Sequence, residues 1–312
     1  MYQRTSSFIR GLAGVIAYRW PSPLLSVYGG IGDALLLSAV AHELKRRGCN
    51  DFALSTEWPE LFQNNPDTPK VVPGDHSFHR VAQLLGLQVI APFYTPEIGV
   101  SGRKLSPKMH IITEMCRSIG ISGEVFIKPY YYPLQDELSA VSFAKDSIVI
   151  QSSGRSARHH LGNKEWGADK FNDVANLLSR SFKIIQIGSK SDPLLQNAED
   201  LRGRTSLRQT AAILASCSVF VGLVGFLMHL ARAVNKRSVI IYGGREKPWQ
   251  SGYSYNVNIE GHHSCSPCWQ DNICEHRRMC LSSITAKTVC EQITRVAISI
   301  HCDVKEDQIV IL

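Results

Sequence analysis

The sequence predicts an α/β protein of two Rossmann-like domains whose parallel sheets face each other across a cleft. Three observations predict it. A chain of 312 residues is long for a single core. Short apolar strand-like runs alternate with amphipathic helical ones along most of its length. That rhythm breaks once, at 121–146, in a stretch rich in aromatics, proline and charge, where the domain connection belongs. The expected division is 1–140, 141–298 with a Cys-rich segment at 262–281, and a tail at 299–312.

The stretch "MYQRTSSFIRGLAGVIAYRW" has too brief an apolar run, and no small-residue cleavage site, for a signal peptide. It reads as an amphipathic helix with Phe8, Ile9, Leu12, Val15 and Ile16 as its stripe, packed on the protein's own core or docked on a membrane surface. "PLLSVYG" is the first strand, and "GDALLLSAVAHELKRRG" a helix with a basic last turn, stopped by Gly48. "DFALST", "KVVPG" and "QVIAPFYTP" are further strands, with "HSFHRVAQLLG" a helix between the last two. The second set runs "SIVIQSSG" (strand), "GADKFNDVANLLSRS" (helix), "FKIIQIGS" (strand), "SLRQTAAILASC" (helix) and "SVFVG" (strand). "FLMHLARAVN" (helix), "RSVIIYGG" (strand) and the final helix "ITAKTVCEQITRVAIS" complete it.

Hydrophobic content of 44% and charged content of 20% fit a soluble globular chain, and no run of about 18 apolar residues exists. The net charge of +7 favours an anionic partner, but it is spread out, with no basic block to indicate nucleic acid. Cys49, Cys116 and Cys217 read as buried thiols. Cys265, Cys268, Cys274 and Cys280 form C-x2-C-x5-C-x5-C, able to close a tetrahedral zinc or iron site; two disulfides or free thiols are the alternatives. His262, His263 and His276 are spare ligands, and such a local cluster suits a reducing, cytoplasmic compartment.

In an open parallel sheet, ligands sit beyond the carboxyl ends of the strands. Four such ends stand out. Gly29, Gly30, Gly32 and Asp33 form G-G-x-G-D, not the dinucleotide fingerprint, which argues against a nicotinamide-dependent oxidoreductase. Asp33 is either a helix cap or a residue that works on a ligand. "QSSGRSARHHLGNKEW" follows its strand with Ser152, Ser153, Gly154, Arg155, Arg158, His159, His160 and Lys164, a phosphate-binding loop or an exposed basic one. "FVGLVGFLMHL" offers a helix N-terminus with His229 one turn in. "YGGREKPW" is the fourth.

These features occur together in a known family. The chain resembles glycosyltransferase family 9, the heptosyltransferase-like enzymes. The resemblance rests on "GGIGDALLLSAVAHELKRR", "KEWGADKFNDVANLL", "FKIIQIGS", "LRGRTSLRQTAAILASCSVFVG", "LMHLARAVNKRSVIIYGG" and "CSPCW…CEHRRMCLSSIT". It implies the GT-B fold, with a sugar nucleotide held mainly by the second domain, no catalytic metal, and inversion at the sugar carbon. It makes Asp33 the general base and Lys164 the cation facing the leaving diphosphate. Gly29, Gly30 and Gly32 would keep the acceptor close, while Ser152, Ser153, Gly188, Gly225, Met228 and His229 would contact the donor. Where the family reads G-x-D-[ST]-G-x-M-H, this chain has Val224, Gly225 and Phe226 at the acidic, hydroxyl and glycine positions. An ADP-activated heptose is the implied donor, and a surface glycan, lipopolysaccharide or other lipid-linked or protein acceptor the implied partner. The implied site is the cytoplasm, with peripheral contact at the inner face of the inner membrane. The competing expectation is a catalytically impaired protein of the same fold that binds a sugar nucleotide or serves as a scaffold. The Cys cluster resembles the iron-binding clusters of some family members, at a different spacing.

Overall fold

The computed structural model describes residues 23–27, 29–74, 76–95, 106–299 and 308–312. The expected amphipathic helix at the start lies outside them. One sheet contains β1 (Leu24–Ser26), β2 (Ala53–Thr56), β3 (Val71–Pro73) and β4 (Val89–Ile90), in the order β3-β2-β1-β4. A two-stranded sheet joins β5 (Glu124–Phe126) to β12 (Ile309–Ile311). The largest sheet contains β6 (Ser147–Ile150), β7 (Lys183–Gln186), β8 (Glu199–Asp200), β9 (Val219–Leu223), β10 (Ser238–Tyr242) and β11 (Val257–Glu260), in the order β11-β10-β9-β6-β7-β8. All strand pairs in the two larger sheets are parallel, whereas β5 and β12 are antiparallel.

The helices are α1 (Ile31–Arg46), α2 (His76–Leu84), α3 (Ile111–Ser118), α4 (Gln135–Ala140), α5 (Ala168–Leu178), α6 (Leu207–Ser216), α7 (Phe226–Ala233), α8 (Pro248–Ser251), α9 (Met279–Ser282) and α10 (Ala286–Ile298). Local chemistry sets several boundaries. Ser206 Oγ accepts from Gln209 N (3.1 Å) and Gln209 Oε1 accepts from Ser206 N (2.9 Å), a reciprocal cap at the start of α6. The stretch 121–146 is not bare linker, because it contains β5 and α4. The proline-broken "QVIAPFYTP" forms a strand only over Val89–Ile90.

Strand β6 shows how the core is divided. Ile148 and Ile150 pack on one face with Phe171 and Val174 of α5 and Val289 and Ile293 of α10. Val149 points the other way, into a core that also contains Leu35 of α1, Ile112 of α3 and Met228 of α7. A strand buried on both faces reads as an unbroken apolar run, as "SIVI" does. The second core continues from the large sheet into the helices beside the four-stranded sheet, so α1 and α7 pack against each other within it. That contact sets the geometry of the cleft.

Candidate functional site

Asp33 lies in the first turn of α1 with both carboxylate oxygens engaged. Gly30 N donates to Oδ2 (2.9 Å) and the Tyr94 hydroxyl donates to Oδ1 (2.9 Å). The glycines around it have distinct duties. A Cβ on Gly29 would lie 2.2 Å from Asp33 Oδ2, so glycine there seats the carboxylate. Gly30 faces open space, and Gly32 lies against Phe226 and His229 of α7. Burial, and then the negative charge of Asp33, push the Tyr94 phenol well above its ordinary pKa, so it stays a donor.

Beside this turn is a cavity of about 440 Å³ at the carboxyl ends of β6, β7 and β9, of the size that takes a small ligand. Ile31 of α1 closes it on one side. Gly154, Ser156, His159, Leu161, Lys164 and Glu165 line it from the loop after β6, Gly188 and Ser189 from the turn after β7, and Leu223 to Leu227 from β9 into α7. Gly188, at φ +135°, leaves no room for a Cβ beside Asp192. Lys164, the expected cation, lines the cavity, as do Gly188 and Gly225 among the expected donor residues, whereas Ser152, Ser153, Met228 and His229 do not. The Ser152 hydroxyl accepts from Gln186 Nε2 (3.0 Å), and Ser153 Oγ accepts from Arg155 N (3.1 Å). Met228 is buried, with the Tyr242 hydroxyl donating to its sulfur (3.4 Å).

Lys164 is ion-paired. Its Nζ is 2.5 Å from Glu246 Oε1, and Arg245 Nη1 donates to the same oxygen (3.0 Å). Burial pulls the Lys164 pKa below its ordinary value, with Arg245 acting the same way and Glu246 and Asp33 opposing. Burial pushes the Glu246 carboxyl up, but Lys164 and Arg245 outweigh it and hold it at about 2. Asp33, Tyr94, Lys164, Glu246 and Arg245 are thus one electrostatic cluster drawn from both sides of the cleft. The basic loop also crosses the cleft: Arg158 binds Glu57 with both guanidinium nitrogens (2.9 and 2.7 Å) and covers the Trp58 ring at 5.1 Å.

Behind the cavity, His229 Nδ1 is 2.6 Å from the Tyr253 hydroxyl, and His110 Nε2 is 2.9 Å from the Gly252 carbonyl. Burial lowers His110 to about 4; burial, then His110 and Lys164, lower His229 to about 3. Both rings are neutral packing residues at physiological pH.

The Cys-rich segment corrects the expected ligand set. Cys265, Cys268, Cys274 and Cys280 are free thiols, not disulfides. Among the described residues, the close group of potential ligands is His263, Cys265 and His276, with donor atoms within 4.8 Å of one another; the four sulfurs do not form such a group. The reason is local packing. Cys280 sits in α9 at the core, facing Gly244, and Cys274 Sγ accepts from Arg278 N (3.2 Å). The other thiols are still near enough to add to the burial that raises the Cys265 pKa. Among the described residues, no helix is long and apolar enough to cross a membrane.

Residues 132–277 match the profile of glycosyltransferase family 9 (heptosyltransferase). Over that stretch, just under half of its length, the chain is similar to this family. This classes it as a glycosyltransferase, and its two parallel sheets have the arrangement of GT-B heptosyltransferase structures. No curated protein matches it in sequence. ADP-heptose lps heptosyltransferase II from E. coli aligns over 90% of this chain and 100% of its own, at 14% identity and TM-score 0.66. A family 9 glycosyltransferase from Veillonella parvula aligns over 89% and 97%, at 14% identity and TM-score 0.65. The iron-containing dodecameric glycosyltransferase TibC from enterotoxigenic E. coli aligns over 89% and 77%, at 16% identity and TM-score 0.66.

Three residues of this site escape sequence reasoning. Tyr94 lies in the proline-flanked "APFYTP", beyond the end of β4, with no charge or glycine to mark it. Arg245 and Glu246 sit in "YGGREKPW", where the glycine turn is the only signal and adjacent charges read as exposed. Both side chains are 5% exposed.

Proposed function

We propose that the protein is an inverting, metal-independent glycosyltransferase in which Asp33 takes the proton from an acceptor hydroxyl as that oxygen attacks the sugar carbon. The observation that carries the reading is the meeting of Asp33 and Lys164, from opposite sides of the cleft, beside one cavity of about 440 Å³. Each Asp33 oxygen already accepts one hydrogen bond, which fixes the carboxylate and leaves further lone pairs for the incoming hydroxyl. As the sugar–oxygen bond breaks, charge grows on the diphosphate. Lys164 and the backbone N–H groups at the start of α7 are the groups able to meet it. The TibC structure in complex with ADP-D-beta-D-heptose and the E. coli WaaC structures with ADP and ADP-2-deoxy-2-fluoro heptose make ADP-heptose the first donor to test. The acceptor is proposed as a surface-glycan, lipid-linked or protein hydroxyl, reached in the cytoplasm or at the inner membrane face.

A second reading has its own support. Val224 and Phe226 leave the turn into α7 without polar side chains, and Lys164 is held by Glu246, as expected of a protein that binds a donor but transfers poorly. A calorimetric screen of ADP, GDP, UDP and dTDP against the pure protein tests both. Binding of one with turnover of its sugar conjugate supports the enzyme, binding without turnover supports the second reading, and no binding rejects both.

We further propose a structural zinc or iron at the Cys-rich segment, apart from the reaction. Two imidazoles and a thiol with their donor atoms within 4.8 Å fit such an ion. Elemental analysis of the purified chain should find about one metal per chain, and its absence would reject the site.

A further inference from the structure

We propose that the Cys-rich segment positions Lys164, with Glu246 as the positioning residue that links them. The inference rests on Lys164 being the cation for the donor diphosphate. Two routes join the segment to that lysine.

The first runs through the backbone beside it. Gly162 N donates to Asn272 Oδ1 (2.7 Å), and Asn163 N donates to the Asp271 carbonyl (3.0 Å). Asn163 Nδ2 donates to the carbonyls of Gln270 (3.1 Å) and Ile273 (2.8 Å), and Asn163 Oδ1 accepts from Arg278 Nε (3.1 Å). Asn272 Nδ2 donates to the His160 carbonyl (3.2 Å). The turn that delivers Lys164 is therefore bound to the segment at every residue from His160 to Asn163 except Leu161.

The second route runs through side chains. Lys164 pairs with Glu246, Glu246 with Arg245, and Arg245 Nη2 donates to Asp271 Oδ1 (2.7 Å) while its guanidinium lies 4.8 Å from the Trp269 ring centroid. Cys268 N and Trp269 N donate to the carbonyls of Gly244 and Arg245 (both 2.9 Å), so the segment also fixes the backbone that carries Arg245 and Glu246. Lys164, Glu246 and Arg245 have little solvent to fall back on, so their positions follow their partners. Both routes reach Asp271. A segment that only stabilised the fold would have no need to hold the backbone beside Lys164 and its counter-ion separately.

The test uses the full chain and three variants: Asn272→Ala, which cuts the first route; Asp271→Asn, which weakens the second; and Glu246→Gln, which removes the counter-charge. Amide hydrogen exchange of residues 160–165 should speed up in Asn272→Ala while that of α10 stays as in the wild type. Affinity for the nucleoside diphosphate that binds the wild type should fall about tenfold in each variant, the scale of one charge-assisted hydrogen bond, with nucleoside affinity unchanged. In Glu246→Gln the charged groups still facing Lys164 are Arg245 and Asp33, with His229 neutral. Its diphosphate affinity should therefore decline with rising pH earlier than in the wild type. Unchanged exchange at 160–165, or equal loss of nucleoside and diphosphate in every variant, would overturn the proposal. If Lys164→Ala left diphosphate binding intact, the role of Lys164 would fail instead, and the exchange result would still decide whether the segment holds its turn.

Discussion

The turn into α1 and the turn into α7 share one backbone plan: a strand end, glycine, and a helix N-terminus at the cleft. The helices they start pack against each other. Their polar groups are disposed in opposite ways. In the first turn, Asp33 folds back on Gly30 N and is held a second time by Tyr94. In the second, Gly225 caps α7 without a side chain, the first turn has no acid, and Gly225, Phe226 and Leu227 face the cavity. One turn consumes its N-terminal potential to fix a carboxylate. The other leaves the positive end of a helix dipole facing the space where a diphosphate would lie. The proposed metal-free transfer would need both, an anion held ready for a proton and a site ready for an anion, and a side chain that served one would harm the other.

The largest expected effect breaks the first turn. Asp33→Asn should lower turnover by about a hundred- to ten-thousandfold, the range for removing a general base, with nucleotide affinity kept. Gly29→Ala, whose Cβ collides with the carboxylate, should lower turnover by about a hundredfold by displacing an intact acid. Steady-state kinetics with a bound-nucleotide control checks both, and wild-type turnover in Asp33→Asn would remove it as the base.

The second effect concerns the packing beneath α7. His110 and His229 have pKa values lowered to about 4 and about 3, so the unfolded chain, titrating near 6.5, binds more protons below that pH. Their contribution to stability is complete above about pH 6.5 and is lost as pH falls toward 4, at up to about 1.4 kcal/mol per pH unit for each ring. Urea unfolding between pH 7 and 5 should show this slope, and His110→Gln should reduce it by up to half. A slope unchanged by the substitution would mean that His110 is charged in the folded chain.

The smallest effect sharpens the second turn. A Cβ on Gly225 meets nothing within 4 Å, so Gly225→Ser should fold normally and place a hydroxyl beside the expected diphosphate. One neutral hydrogen bond contributes about 0.5–1.5 kcal/mol, a gain of up to about tenfold in diphosphate affinity by calorimetry. Weaker binding would show that the ligand presses on Gly225 itself.

Legibility in the sequence followed the range of the interaction that mattered. The Asp33 turn and Lys164 could be read because each lies in a short stretch whose glycines, hydroxyls or charges stand out against apolar strands. The parallel sheets could be read because short unbroken apolar runs such as "SIVI" and "SVIIY" stand out between the helical stretches. Pairings across the cleft could not. Arg158 finds Glu57, 101 positions away, and Tyr94 finds Asp33, 61 positions away, with no local pattern to mark either. The β5–β12 pair was hidden for the same reason: its strands are three residues each and come from distant parts of the chain. In the Cys-rich segment the spacing of sulfurs drew attention to four thiols, while side-chain packing brought two imidazoles to one of them.

The central claim is that Lys164 and the N-terminus of α7 hold the diphosphate of a donor beside Asp33. Titration of Lys164→Ala with a nucleoside diphosphate and with its nucleoside tests it most directly. A charge-assisted contact contributes about 1.5–3 kcal/mol, so the account predicts a ten- to hundredfold loss for the diphosphate and none for the nucleoside. Equal loss for both ligands, or none for either, would contradict it.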